Sequence, residues 1–463
     1  MGQLGTFGDR DARLQTPTIG AEVAATFRLA VPLALTQVGQ LAMFTTDLMI
    51  IGRLGALELA AGALAHTILF AAFVVGMGLM SAVAPLTAQA VGAGDTQKIR
   101  RSLRVGLHAA LFLAVPMVAL QLGCRPILNA LGQDPAVSAL AATYMMTLAW
   151  SVVPAWGFMA VRGYMSALDA PNPGLWIMLA GIPLNAALAY LLVFGGGPFP
   201  TLGIVGAGIA TTVVNSVRFA ASLAVVAGAQ PYRQYAPLQR LWRADWEQFR
   251  RLIWIGLPIA VAFSLESGLF SAASLMAGAI SVEALAAHQI ALQIAAVVFM
   301  LPLGIGMAAS VRVGTPMGRG DRIALRQAGF ISLGLGSIVA VLTMIATLAT
   351  TDVIPVLFLG SRTAETAATF DLATVLLVYA AAFFVVDALQ CIANGALRGI
   401  NDTRFSMFAA LISFWVIGFG VAWGLAFETS LGARGIWIGL LAGLTAYAIL
   451  LVARFWWRTR DGS

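Results

Sequence analysis

Charge is what this chain has least of. Only 10 % of its 463 residues are charged, against about 25 % in soluble domains. A string of water-soluble domains is therefore excluded. Lysine occurs once, as Lys98. Cysteine occurs twice, as Cys124 and Cys391, without metal spacing, so the pair reads as bland thiols and not as a disulfide framework. The three histidines, His66, His108 and His288, are scattered and pair with neither a nucleophile nor a ligand cluster. No glycine-rich phosphate loop with its lysine is present, which excludes ATP-driven pumping by this chain. The first 20 residues lack the basic-then-apolar pattern of a cleaved signal, so the first span is expected to serve as the insertion signal.

What the chain has is long apolar runs. Its residues are 60 % hydrophobic and its mean hydropathy is +0.89. Charge-poor stretches cover 29–52, 63–91, 104–123, 137–161, 174–195, 204–228, 252–278, 285–311, 327–350, 367–397, 405–427 and 435–457. Each reaches or approaches the roughly 20 residues that span a bilayer. Twelve spans predict an all-α polytopic membrane protein. The net charge of +7 does not mark a nucleic-acid binder, because the basic residues flank the apolar runs. With the N-terminus inside, 23 basic residues fall on inner connections, tails or inner helix ends, and Arg53, Arg125, Arg362 and Arg434 fall outside. Both termini are thus expected in the cytoplasm.

The halves repeat. A gap-free shift of 226 positions lays Pro32 on Pro258, Phe44 on Phe270, Gly52 on Gly278, and Gly92, Gly94 and Asp95 on Gly318, Gly320 and Asp321. Six spans per half is an even number, so the repeats enter the membrane alike, related by an axis along its normal. The division reads as an inner tail over 1–24, a six-helix lobe over 25–228, a linker over 229–251, a second six-helix lobe over 252–457 and an inner tail over 458–463. Leu238, Leu241, Trp242, Trp246 and Phe249 recur at helical spacing, which predicts that the linker is an amphipathic helix on the inner face.

Three acids lie inside spans: Asp47 in the first, Glu266 in the seventh and Asp387 in the tenth. A centred carboxylate costs about 2.5–3.5 kcal/mol on insertion scales. No basic residue is expected in the apolar core to pair with them. Such a group must be protonated, bind a cation or face water, which describes an ion-coupling or cation-binding site. Asp47 stands nearer the outer end of its helix, with access to outside water. Gln40, not an acid, occupies the position matched to Glu266. Prolines at 32, 116, 154, 183, 258 and 302 interrupt spans; Pro32 and Pro258, at matched positions, are expected to act as hinges of the cleft. Phe44, Phe263, Phe270, Phe383 and Phe384 are candidates for an adaptable apolar wall.

Several motifs resemble one family. Gly256-Leu257-Pro258 precedes Glu266 by eight residues, and Ala286-Ala287-His288-Gln289-Ile290-Ala291-Leu292 follows. Then come Ile305-Gly306-Met307, Arg312-Val313-Gly314 and Gly318-Arg319-Gly320-Asp321, and later Asp387-Ala388-Leu389-Gln390, Leu397-Arg398-Gly399 and Asp402-Thr403-Arg404. In combination they resemble multidrug and toxic compound extrusion (MATE) transporters of the NorM-like branch, over about 25–455. The resemblance implies a secondary antiporter in the bacterial cytoplasmic membrane, exporting amphipathic organic cations in exchange for H⁺ or Na⁺. It needs no further cofactor, nucleic acid or obligatory protein partner, and a monomer is expected. It implies that Glu266 and Asp387 form the cation site, holding Na⁺ if sodium drives the exchange. Asp47, Asn185, Gln40, Phe44, Phe263 and Phe383 would meet the substrate. Gly181 stands where relatives can carry Asn, and Phe383 where some carry Tyr.

Three alternatives remain. A flippase for lipid-linked saccharides would need basic residues lining its cleft. An intramembrane enzyme would need a clustered nucleophile, base or metal site. A passive channel would fail to accumulate a dye against its gradient.

Overall fold

The computed structural model describes residues 18–196 and 200–460. Among them, twelve helices are long and apolar enough to cross a membrane. They are numbered α1 (Ile19–Gly52), α2 (Ala56–Gly92), α3 (Thr96–Leu122), α4 (Pro135–Ala167), α5 (Asn172–Phe194), α6 (Ile204–Gly228), α7 (Trp246–Ile280), α8 (Val282–Arg319), α9 (Arg322–Leu348), α10 (Ala367–Gly399), α11 (Thr403–Phe427) and α12 (Ala433–Thr459). The chain is a multi-pass membrane protein of two six-helix lobes, as the hydropathy pattern predicts. Several helices outrun their apolar stretches. α1 begins at Ile19, where the Thr18 side chain accepts from Ala21 N, so the tail expected over 1–24 ends by residue 18. Residues 1–17 and 461–463 of the two expected tails lie outside the described residues.

Local chemistry explains most breaks. Asp95, Asp134, Asp245, Ser281 and Asp321 each cap a helix by accepting a backbone N–H near its first turn. α2 tightens at Ser81-Ala82, where Pro85 removes the bond that the Ser81 carbonyl would accept. α4 has a 3₁₀ turn at Ala149–Ser151 ahead of Pro154 for the same reason. α1 and α7 run unbroken through Pro32 and Pro258.

The linker is a correction. It is not an amphipathic helix over 229–251. Arg233–Tyr235 form one 3₁₀ turn, residues 237–243 form turns, and helix resumes only at Trp246, continuous with α7. Ala236 and Arg240 sit at φ +46° and +56°, conformations that no α-helix tolerates, and Pro237 disfavours helix before it. The helical spacing of the apolar residues is coincidental.

Two main hydrophobic cores form, one mostly from each lobe; the C-terminal one also takes Leu29, Ala30 and Leu33 of α1, and the N-terminal one Ile255, Ile259 and Ala260 of α7. Between the lobes, α1 packs on α8 and α2 on α7. The closest approaches repeat. Gly78 lies against the Ala260 backbone and Gly304 against Ala34; both residues of one contact are the 226-shift mates of the other. Gly92 likewise meets the Thr315 carbonyl, and Gly318 the carbonyl of Gln89, its shift mate. A contact and its exchanged copy are what a two-fold axis between lobes produces. All four glycines lie in the half of the bundle nearer the termini. There Arg312 of α8 also reaches across to Glu22 of α1, Nε to Oε1 at 2.8 Å and Nη2 to Oε2 at 2.5 Å.

A side chain at these crossings must push helices apart. Gly78→Val and Gly304→Val are each expected to cost about 1–3 kcal/mol by overpacking. Thermal unfolding of the purified protein measures it, with Gly334→Ala, which faces open space, expected to be neutral or stabilising. Unchanged melting in both seam variants contradicts the seam.

Candidate functional site

Where the seam ends, a cavity of about 390 Å³ opens between the lobes, in the half remote from the termini. α1, α2, α7, α8 and α10 wall it. Its surface is mostly apolar. Phe44, Phe70, Phe73, Phe263, Phe270, Phe299 and Phe383 line it, with Met77 and Met300. The polar lining comes from Gln37, Gln40, Ser267, Ser271, Ser274 and Gln289, and the charged lining from Glu266 and Asp387 alone. No lysine or arginine lines it among the described residues. The size and the few convergent polar groups suit a drug-sized ligand.

Glu266 and Asp387 come together through one amide. Gln390 Nε2 donates to Glu266 Oε1 at 2.9 Å and to Asp387 Oδ1 at 3.0 Å. The amide nitrogen thus bridges two carboxyl groups, which repel one another when both are ionised. Any cation bound here relieves the same repulsion. Gln390 was missed as a site residue. Its signal is the spacing of three from Asp387, which puts both side chains on one face of α10. A π-helical stretch in α11, Leu411–Gly418, packs against α7; from it Trp415 Nε1 donates to the Leu265 carbonyl, next to Glu266, at 3.2 Å. π-turns recur at functional sites.

Gln40, Phe44, Phe263 and Phe383 line the cavity. Asp47 and Asn185 do not. Asp47 is 1 % exposed and borders a separate void of about 20 Å³ inside the N-terminal lobe. Phe44 and Phe73, edge-on at 5.8 Å, line both spaces. Asn185 Nδ2 donates to Asp47 Oδ1 at 2.5 Å and Thr211 Oγ1 to Oδ2 at 2.9 Å. The expectation of outside water at Asp47 is therefore wrong for this conformation: its helix end is near the surface, but its side chain points inward onto α5 and α6.

The expectation of an apolar core without bases is wrong as well. Arg162, Arg218 and Arg398 are buried. Arg218, in mid-α6, stacks on Phe158 at 4.5 Å, donates to Asn215 Oδ1 at 2.8 Å, and meets the sulfurs of Met43 and Met178. It forms no ion pair among those described. Its stem lies over Gly181, where a Cβ would stand 2.7 Å from Arg218 Cδ. The missing side chain at 181 is thus the space that Arg218 fills. Arg162 Nη1 donates to Gln37 Oε1 at 2.6 Å, and the Arg398 guanidinium lies 4.7 Å over the Phe263 ring. Gln37 and Phe263 are mates under the 226 shift, so the cavity wall has a matched residue from each lobe, each backed by an arginine from α4 or α10.

Fold and cavity define the class: a membrane carrier with a solute-sized space between two repeated lobes. A family profile for MatE matches residues 32–191 and 258–423, and the chain belongs to that family of transporters; it is not an enzyme. A protein of Bradyrhizobium diazoefficiens described as a probable multidrug resistance protein NorM is 54 % identical over 435 residues, 94 % of this chain and 93 % of that one. The multidrug resistance protein NorM of Burkholderia vietnamiensis is 38 % identical, covering 96 % of each. The eukaryotic MATE transporter AtDTX14 has the same fold, with a TM-score of 0.84 at 22 % identity over 94 % of this chain and 96 % of that one. A multidrug resistance MATE family transporter described as outward-facing has a TM-score of 0.83 at 20 % identity over 99 % of each.

If Gln390 holds the two acids together, Gln390→Leu leaves both without a donor. It is expected to lower stability by about 1–3 kcal/mol. Combined with Glu266→Gln the loss should shrink, because one carboxylate is gone. Thermal unfolding of the two single variants and the double variant measures the coupling. Strict additivity rejects the bridge.

Proposed function

We propose that this chain is a secondary multidrug efflux antiporter that exports amphipathic organic cations in exchange for H⁺ or Na⁺. One observation carries the reading: two carboxylates bridged by a neutral amide face an apolar, aromatic cavity that, among the described residues, no basic side chain lines. Aromatic faces and methionines accept varied greasy cations. The carboxylates supply the charge that selects for a cation. The multidrug resistance names of the bacterial relatives point the same way.

Exchange follows from competition. An organic cation, or H⁺ or Na⁺, takes the place of the Gln390 N–H groups between Glu266 and Asp387. Each ligand shifts the two states of the lobes only by its differential affinity for them. The excess of basic residues on the terminus side supports a cytoplasmic position for that side. The cavity then faces outward, and the glycine seam is the closed inner gate. Rocking opens the seam, with Pro32 and Pro258, each two residues from a seam alanine, as bending points. Residues 25–228 and 252–457 move as the two lobes. Asp47, held by Asn185 and Thr211, is a second acid that joins the cycle when Phe44 and Phe73 part. The carrier works as a monomer in the bacterial cytoplasmic membrane.

Proteoliposomes loaded with a cationic dye test this, with Na⁺ and pH gradients imposed separately. Wild-type protein should drive dye against its gradient under at least one of them. Glu266→Gln and Asp387→Asn should each reduce coupled movement to the protein-free background. Full coupled transport by both variants, or no response of the wild type to either gradient, rejects the proposal.

A further inference from the structure

On the terminus-side face, a pocket of about 360 Å³ lies between the start of α3 and the segment joining the lobes. Arg100, Arg101 and Arg104 enter it from α3, and Arg240 and Arg243 from the joining segment. One carboxylate, Asp245, answers these five guanidinium groups, at 3.5 Å from Arg101 and 3.7 Å from Arg104. Asp245 also caps α7 through Gln248 N. The remaining donors turn partly to neutral oxygens: Arg100 to Gln239 Oε1 at 3.3 Å, and Arg104 to the Arg240 carbonyl at 3.4 Å. Five cations around one shared anion leave a surplus of planar donors matched to phosphate oxygens.

We infer that this pocket binds the phosphate headgroup of an anionic phospholipid. The apolar surroundings argue for a lipid over a free phosphate. Trp246, 67 % exposed, lines it, and Trp242, 86 % exposed, lies between Arg240 and Arg243 on the joining segment; tryptophans are favoured at membrane interfaces. Below Trp246 an aromatic column continues along the spans, from Trp246 to Phe249 at 5.7 Å and on to Phe112 of α3 at 6.4 Å. Leu111, Phe112 and Val115 are exposed on α3 and give acyl chains a surface beneath a bound headgroup. Basic pockets between membrane helices are suited to such headgroups. The matching place in the second lobe, a pocket of about 400 Å³, has Arg322 and Arg326 as its basic lining among the described residues. Among those residues the difference is the joining segment, which adds Arg240 and Arg243 to the first pocket. A headgroup held here ties that segment to α3.

The test uses the full-length protein, stripped of lipid in detergent. Binding is followed by native mass spectrometry and by the shift in melting temperature. The probes are phosphatidylglycerol, phosphatidylcholine, inorganic phosphate and water-soluble glycerophosphoglycerol. Phosphatidylglycerol should be retained and raise the melting temperature, and the other three should not. Arg240→Gln with Arg243→Gln, both on an exposed segment, should weaken apparent affinity about thirtyfold while leaving the lipid-free melting temperature unchanged. Arg322→Gln with Arg326→Gln in the other lobe should bind like the wild type. Equal retention of phosphatidylcholine, an equal shift from phosphate or the soluble headgroup, or undiminished binding by the Arg240/Arg243 variant overturns the inference.

Discussion

The backbone-close seam between the lobes governs everything else in this molecule. Gly78 and Gly304 let α2 and α8 approach the opposing α7 and α1 without an intervening side chain. Packing this tight leaves no ligand-sized gap where those helices cross. Farther along the same four helices the facing residues become Phe44, Phe70, Phe270 and Phe299. Rings of that size hold helices apart. The cavity is thus where the sequence along the seam changes from glycine and alanine to phenylalanine and methionine, and its floor is where that change occurs.

Within a symmetric frame the chemistry is one-sided. The 226 shift matches the cavity-facing Glu266 with Gln40. The C-terminal lobe therefore presents two acids to the cavity and the N-terminal lobe none. The N-terminal lobe instead keeps Asp47 and Arg218 behind its wall, each held by its own neighbours. Gly181 makes this arrangement possible, because any side chain there would collide with the Arg218 stem. A position that looks like a lost polar residue in sequence is space surrendered to a buried cation. Such a cation needs planar, well-packed partners, which Phe158 and the methionine sulfurs supply.

Much of this was legible beforehand because it rests on one-dimensional signals. Spans announce themselves by length and apolarity, the repeat by its register, and Glu266 and Asp387 by the cost of an acid in a span. The family motifs added the same two acids by resemblance. What escaped depends on direction or on backbone conformation. Periodicity assigned a helix to Leu238–Phe249, but the left-handed backbone at Ala236 and Arg240 is invisible to a pattern of apolar positions. Depth along a helix placed Asp47 near outside water, yet depth does not fix which face a residue occupies. Arg162, Arg218 and Arg398 were read as loop or end charges because flanking arginines usually are; stacking on Phe158 and Phe263 and the bond to Gln37 explain how they stay inside.

The seam is symmetric in shape but not in charge. Glu22 and Arg312 join α1 to α8 by a two-pronged pair, while their shift mates, Gln248 and Leu86, cannot reproduce it across α7 and α2. Such a pair resists separation less than its geometry suggests, because both groups regain water when the helices part and hydration offsets much of the lost attraction. The glycine contacts differ in kind: each atom pair contributes little, but together they are substantial. Under the proposed exchange cycle a ligand must outweigh both kinds of contact, because it moves a population only by its preference for one state.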